Sequence, residues 1–338
     1  MPRAPCGLVA RMKSARLSRF GAPAEVIELV DVDDPGAVSE GEALIDVLAC
    51  PINPADLLNL EGDYGASPPA LPLVPGVEGV GRVAAVGAGV AHVAPGDLVF
   101  VPGPGTWRER VKVPARTLAP LPRADVLQLA MLRVNPATAY LMLHEIVAPR
   151  AGAWVLQNAA NSAAGRCLIR LAKRAGVKTV NVVRRASLVK ELEQEGADVV
   201  LVDGDDLDAR VRERVGDGPL PLALDAIGGA ATGRLARCVD DKGVVVSYGA
   251  LSGDPCMVDV RETIFRDVTL RGFWLRRWFM ETPTAAIAAL YARLAALVAD
   301  GTLAMNIERV YSFAELREAV AHAAREGRSG KILLRMAE

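Results

Sequence analysis

Aromatic residues make up only 4% of this sequence, which carries just three histidines and five cysteines in 338 residues. The cysteines, Cys6, Cys50, Cys167, Cys238 and Cys256, are far apart, odd in number and form no CxxC pair. That pattern excludes a disulfide framework and points to a reducing compartment, with a cytoplasmic placement expected. Charge of neither sign dominates: 39 Lys and Arg stand against 40 Asp and Glu, a net charge of −1. No strong positive field is therefore available to bind nucleic acid. No run of about 18 apolar residues occurs, so no membrane-spanning helix is expected. The basic start, MPRAPCGLVARMK, has an apolar stretch too short for a signal-peptide core. A hydrophobic fraction of 51% excludes disorder, and the length suits two domains with large cores.

What is present changes character along the chain. Up to about residue 120, short apolar runs such as Ala43–Ala49, Gly79–Val86 and Asp97–Val101 are broken by Gly and Pro, which predicts a β-rich, barrel-like body. From about 125 to 270, buried-type strands (Trp154–Ala159, Thr179–Val183, Val199–Val202, Leu222–Ile227, Val244–Tyr248) alternate with helical patterns at Gly165–Ala175 and Ser187–Glu195. Alternation of this kind predicts a parallel, doubly wound sheet. After 280 the chain returns to the first body. Thr282-Pro283 opens a helix that Gly301 ends, Ser312 to Glu315 is a capping box, and Gly330–Met336 is a last strand. The expected domains are 1–132 plus 280–338, and an inserted 133–279.

One turn has the context of a dinucleotide site. After Trp154–Gln157 comes Asn158-Ala159-Ala160-Asn161-Ser162-Ala163-Ala164-Gly165 and then a helix. Small residues there let the backbone approach a pyrophosphate, and a helix N-terminus stabilises its charge. The G-x-G-x-x-G pattern survives only as Ala160-x-Ser162-x-x-Gly165, so on its own the string is equally a plain small-residue turn. Arg184 and Arg185 close the next strand, about 20 residues on, where an NAD site offers a carboxylate. Guanidinium groups at that point suit a 2′-phosphate and predict NADPH; the alternative is a solvated strand end.

Several stretches resemble the trans-2-enoyl-CoA (enoyl thioester) reductases of mitochondrial fatty-acid synthesis, zinc-free members of the medium-chain dehydrogenase/reductase superfamily. They are Ile52-Asn53-Pro54-Ala55-Asp56 with Gly62-Asp63-Tyr64-Gly65, Val134 to Tyr140, Gln157 to Ser162, Thr179 to Arg184, and Leu270 to Leu275. The resemblance implies an α/β fold, with a GroES-like β-rich barrel catalytic domain and an inserted Rossmann domain. It implies an NADPH-dependent oxidoreductase acting on CH–CH bonds, reducing the C2=C3 double bond of enoyl thioesters carried by CoA or an acyl-carrier protein. Tyr64 matches the active-site tyrosine. Asn135, Asn161, Ser162, Ala163, Ala164, Arg184, Tyr248, Gly249, Ala250, Leu251, Phe273, Trp274, Leu275 and Lys331 fall on cofactor positions. Arg185-Ala186 departs from the family's Asp-Arg, which leaves open whether Arg184 or Arg185 takes the phosphate. A homodimer joined along Val268–Phe273 is a further implication.

Zinc-dependent members of that superfamily carry a catalytic cysteine where this chain has Asn53, and their Gly-His-Glu is Gly76-Val77-Glu78 here. Cys50 is out of register, and His92, His144 and His322 lie far apart, so no metal is expected and each histidine reads as structural or solvated. Without a Lewis acid, hydrogen bonds must stabilise the oxygen that gains charge. A phenol, protonated at neutral pH, is a competent donor, and Tyr64 either gives the proton or orients the thioester. Trp274 and Trp278 read as acyl-pocket or core residues; Arg276 and Arg277 as a solvated edge or as contacts for CoA or an acidic carrier. The alternatives are a zinc-independent NADPH quinone or enone reductase and, more remotely, a non-catalytic NADPH-binding protein.

Overall fold

The computed structural model describes residues 10–65 and 67–336, so Cys6 and most of the basic start lie outside the described residues. Two compact units are present, Met1–Arg133 with Tyr291–Glu338, and Val134–Leu290. The second unit thus runs past the expected 279. Thr282-Pro283 marks the start of the helix Thr284–Ala299, and the division between units falls inside that helix. A helix start is a local signal and need not coincide with a change of body.

In chain order the strands are β1 (Arg11–Leu17), β2 (Ile27–Asp33), β3 (Glu42–Pro51), β4 (Val80–Val86), β5 (Leu98–Phe100) and β6 (Arg110–Pro114) in the first unit. The second unit holds β7 (Trp154–Gln157), β8 (Lys178–Val183), β9 (Val199–Val202), β10 (Leu222–Asp225), β11 (Val244–Ser247) and β12 (Thr269–Gly272). β13 (Ile307–Ser312) and β14 (Lys331–Arg335) belong to the first again.

In the first unit β1 and β2 form an antiparallel pair, and the main sheet runs β13-β14-β3-β4-β5. β3 is long enough to be shared: β4 takes one edge, while β6 pairs with Glu42 to Asp46 and β14 with Ala49 to Pro51 on the other. The side chains beneath it, Ile45, Val47, Val99, Trp107 and Ile332 among them, are fully buried. Each contributes about 1.5–3 kcal/mol by leaving water.

The second unit is a parallel sheet of order β12-β11-β10-β7-β8-β9 with helices between successive strands. Its inner strands are mostly apolar, β7 and β10 being buried at every position, as expected when both faces are covered. The first strand, β7, lies between β8 and β10, so the order reverses there, and ligands of such sheets bind beyond the carboxyl ends at that reversal. β12 is an edge strand, and all four of its residues are exposed.

Predicted helices are present with shifted ends. The one after β7 runs Ala163–Arg174, earlier than its periodicity suggests, because Ser162 caps it. The pattern at 187–195 splits into a tight turn, Ala186–Leu188, and the helix Val189–Gln194. The capping box forms: the Ser312 N–H donates to Glu315 Oε2 at 3.0 Å.

Candidate active site

The carboxyl ends of the central strands stand level. Gln157 is in register with Leu224 and Asn181, Asp225 with Ser247, and Ser247 with Gly272. The segments that follow these strands therefore emerge along one edge. In the first of them the Ser162 Oγ accepts the Gly165 N–H at 3.1 Å and caps the helix. A Cβ on Gly165 would lie 2.5 Å from the Ala160 carbonyl oxygen, so only glycine permits this close approach of helix to turn. Gln157 Nε2 donates to the Gly165 carbonyl at 3.0 Å and to Asn181 Oδ1 at 2.8 Å, joining β7, β8 and the helix.

At the reversal, Asn158 Nδ2 donates to Asp225 Oδ1 at 2.6 Å, and Asn158 Oδ1 accepts the Ala226 N–H at 2.8 Å. The same carboxylate accepts the Thr232 hydroxyl at 2.5 Å and the Ile227 N–H at 2.9 Å. Beyond β11, the Tyr248 phenol hydrogen-bonds Ser162, and burial pushes its pKa up. Gly249 packs on Ala226, while Ala250 and Leu251 are exposed. The Phe273 N–H donates to Ser247 O at 2.9 Å, which fixes where Phe273, Trp274 and Leu275 leave the sheet. Arg184 and Arg185 are exposed at the end of β8. Asn135 opens the helix Asn135–Leu141, which packs on the helix Ala163–Arg174. Thus Ser162, in the turn with Asn161, Ala163 and Ala164, meets Tyr248 directly, and Arg184, Arg185, Phe273, Trp274 and Leu275 share that edge.

Tyr64 and Lys331 belong to the first unit. The helix Pro54–Glu61 starts with Pro54 at its first position and with the Asp56 carboxylate accepting the Asn53 N–H at 2.8 Å. It stops at Gly62, whose φ is +88° and where a Cβ would fall 2.9 Å from the Phe20 ring. Tyr64 follows in the turn, half-buried. Lys331 is buried on β14; its ammonium donates to Ile52 O at 3.2 Å and to Asn53 Oδ1.

Residues 39–123 match the alcohol dehydrogenase GroES-like domain, and residues 163–292 the zinc-binding dehydrogenase family. The mitochondrial enoyl-acyl-carrier-protein reductase of Dictyostelium discoideum is 33% identical over 95% of this chain and 94% of its own. The chain belongs to the enoyl-acyl-carrier-protein reductase family. Among solved structures, a Bacillus thuringiensis protein provisionally described as an NADPH:quinone reductase is 29% identical, with a TM-score of 0.88 over 97% of this chain and all of that one. The Candida tropicalis enoyl thioester reductase, in a complex with NADP and crotonyl-CoA, is 23% identical with a TM-score of 0.87 over the same shares, a likeness of fold.

One family description names zinc, and the residues of this reductase do not fit it. Where a metal would need converging donors, Asn53 Nδ2 donates to Glu78 Oε1 at 2.7 Å and the Lys331 ammonium sits on Asn53 Oδ1. Among the described residues no three His, Cys, Asp or Glu side chains converge to hold an ion. Cys50 is buried with its thiol pushed to higher pKa by burial, its Sγ facing Thr106 O. The histidines are engaged elsewhere: His92 with Ala115 O at 2.8 Å, His144 against the Tyr140 ring, and His322 between Tyr311 Oη and Glu308. Trp278 donates to Glu145 Oε2 at 3.0 Å, and the Arg276 guanidinium lies 5.7 Å from the Trp274 ring centre, with Arg276 and Arg277 exposed.

Several residues that build the site have no assigned role in the sequence: Asn158, Asp225, Gln157, Asn181, Glu78 and Asp56, all buried. Their signal was a polar side chain inside or just after an apolar run, as in Thr-Val-Asn-Val-Val and Leu-Ala-Leu-Asp-Ala-Ile. Such groups must find partners: Asn158 pairs with Asp225, Gln157 with Asn181, and Glu78 and Asp56 both bind Asn53.

Proposed function

We propose that this protein uses NADPH to reduce the C2=C3 bond of trans-2-enoyl thioesters, on CoA or on an acyl-carrier protein. The observation that carries the reading is the pair Arg184 and Arg185 at the carboxyl end of β8, beside a capped small-residue turn, in a chain of the enoyl reductase family. The N-terminus of the helix Ala163–Arg174, with Asn161 and Ser162, takes the pyrophosphate, and one arginine of the pair takes the 2′-phosphate. Asn135, Tyr248, Gly249, Ala250, Leu251, Phe273, Trp274, Leu275 and Lys331 complete the cofactor contacts. NADPH, when bound, supplies the hydride that substrate C3 receives.

Tyr64 donates a hydrogen bond to the thioester oxygen as it gains negative charge, and C2 then takes up a proton. Loss of that donor leaves the developing charge without its partner. The test is NADPH oxidation with crotonyl-CoA or hexenoyl-CoA against a naphthoquinone. Thioester turnover that far exceeds quinone turnover supports the reading. Fast quinone turnover with none on thioesters replaces it by the quinone or enone reductase reading, which the Bacillus thuringiensis likeness favours.

A homodimer paired along β12 is part of the proposal. That strand is an exposed edge, Leu270 on it is 41% exposed, and Ile264 and Phe265 stand open just before it. Light scattering across a dilution series checks it, and Leu270→Lys is expected to give monomers. For location, the free thiols Cys50, Cys167, Cys238 and Cys256 suit a reducing, cytoplasmic setting, whereas the relative from Dictyostelium discoideum is named mitochondrial. No helix among the described residues is long and apolar enough to cross a membrane.

A further inference from the structure

Arg166 lies in the first turns of the helix that follows the small-residue loop, yet it is only 3% exposed. A cation near a helix N-terminus opposes the macrodipole, so its charge there needs compensation. Two carboxylates from the helix Val189–Gln194 and its end provide it. Arg166 Nη2 donates to Glu191 Oε1 at 2.6 Å, and Nη1 pairs with Glu195, which also meets Arg170 Nη2 at 3.2 Å. The remaining arm turns the other way: Arg166 Nε donates to the Asn161 carbonyl at 3.1 Å. That carbonyl is thereby directed at a guanidinium inside the protein. Pointed outward, it would present negative density to a phosphate.

One planar side chain thus grips two elements, one following β7 and one following β8. Asn161 is in the loop at the carboxyl end of β7, and Glu191 and Glu195 are on the helix that the turn after Arg184 and Arg185 leads into. A guanidinium can do this because its donors are fixed in a fork; an ammonium reaches only as a point. We propose that Arg166 is a positioning residue that ties the loop Asn158 to Gly165 to the helix Val189–Gln194, so that the pyrophosphate turn and the 2′-phosphate turn are set together. The proposal rests on the NADPH reading above and adds that discrimination between NADPH and NADH depends on a side chain behind the two turns.

The experiment titrates the cofactor-free protein with NADPH and separately with NADH by nicotinamide fluorescence, and follows thermal unfolding of each variant by circular dichroism. Arg166→Met is expected to weaken NADPH by about tenfold or more, with a clearly smaller effect on NADH, so that the preference shrinks. Arg166→Lys, which keeps the charge but not the fork, follows Arg166→Met. Glu191→Gln moves NADPH binding in the same direction by less, and it alone decides the matter if the Arg166 variants do not fold. Equal weakening of both coenzymes, or none, overturns the coupling while the wild-type preference for NADPH leaves the cofactor reading standing. A wild type that binds both coenzymes equally overturns that reading and the coupling with it.

Discussion

Asn158 and Asp225 hold each other at the carboxyl ends of β7 and β10, amide nitrogen to carboxylate oxygen at 2.6 Å, with both side chains buried. The contact spans the place where strand order reverses, so the pair closes the sheet at the point from which the turn Asn158 to Gly165 departs. Replacing Asn158 by Leu leaves the Asp225 carboxylate and the Ala226 N–H short of a partner. An unsatisfied buried group costs about 1–3 kcal/mol, more when it is charged. A lowered unfolding temperature with weaker NADPH binding is expected, read by calorimetry and by fluorescence titration. A variant as stable as the wild type would show that water replaces the amide.

For Tyr64→Phe the expected result is a fall in thioester turnover of about a hundredfold or more, the usual cost of losing one donor to an oxygen that gains charge. Stopped-flow binding of NADPH should be unchanged. Unaltered turnover removes Tyr64 from the chemistry.

Arg184→Ala and Arg185→Ala, made singly, separate the two candidates for the 2′-phosphate. One of them should weaken NADPH by about tenfold or more while NADH binding stays put, since a charge-assisted contact is lost from one coenzyme only. If neither moves the ratio, the strand end is merely solvated.

Asp56 offers a pH test in the first unit. Burial, reinforced by the negative charge of Glu78, pushes its carboxyl up to about 7. An unfolded aspartate releases its proton near pH 3.9, so between those values the folded chain binds the extra proton. Stability from this group is then complete below about pH 4 and is lost as pH rises through 7. Relative to Asp56→Asn, the wild-type melting temperature should fall between about pH 4 and pH 7 and level off above; a gap that stays constant refutes the assignment.

Much of the second unit could be read in advance because parallel strands buried on both faces leave continuous apolar runs such as Val244 to Val246, and the helices after β7, β8 and β9 stop at Gly176, Gly196 and Gly216. The turn at Asn158 to Gly165 was equally legible, since strand, small residues and helix follow within one short stretch. The partners of Asn158 and Arg166 were not. Asp225 and Glu191 are distant in sequence, and pairing between them is decided by which strand lies next to which. Nor could the β-rich unit be ordered from its runs alone: that β3 would serve β6 and β14 on one edge depends on long-range register, which local alternation does not encode.

The sharing of β3 has a bearing on how the chain is made. On one flank residues 49–51 receive their neighbour from β14, and Asn53 receives the Lys331 ammonium, both supplied after the whole parallel-sheet unit has been synthesised. On the ribosome the inserted body can therefore complete itself first, while the strand bearing the Tyr64 arm waits with an open flank. A chain halted before residue 331 yields a finished parallel-sheet unit attached to a β-rich unit that lacks its last strand.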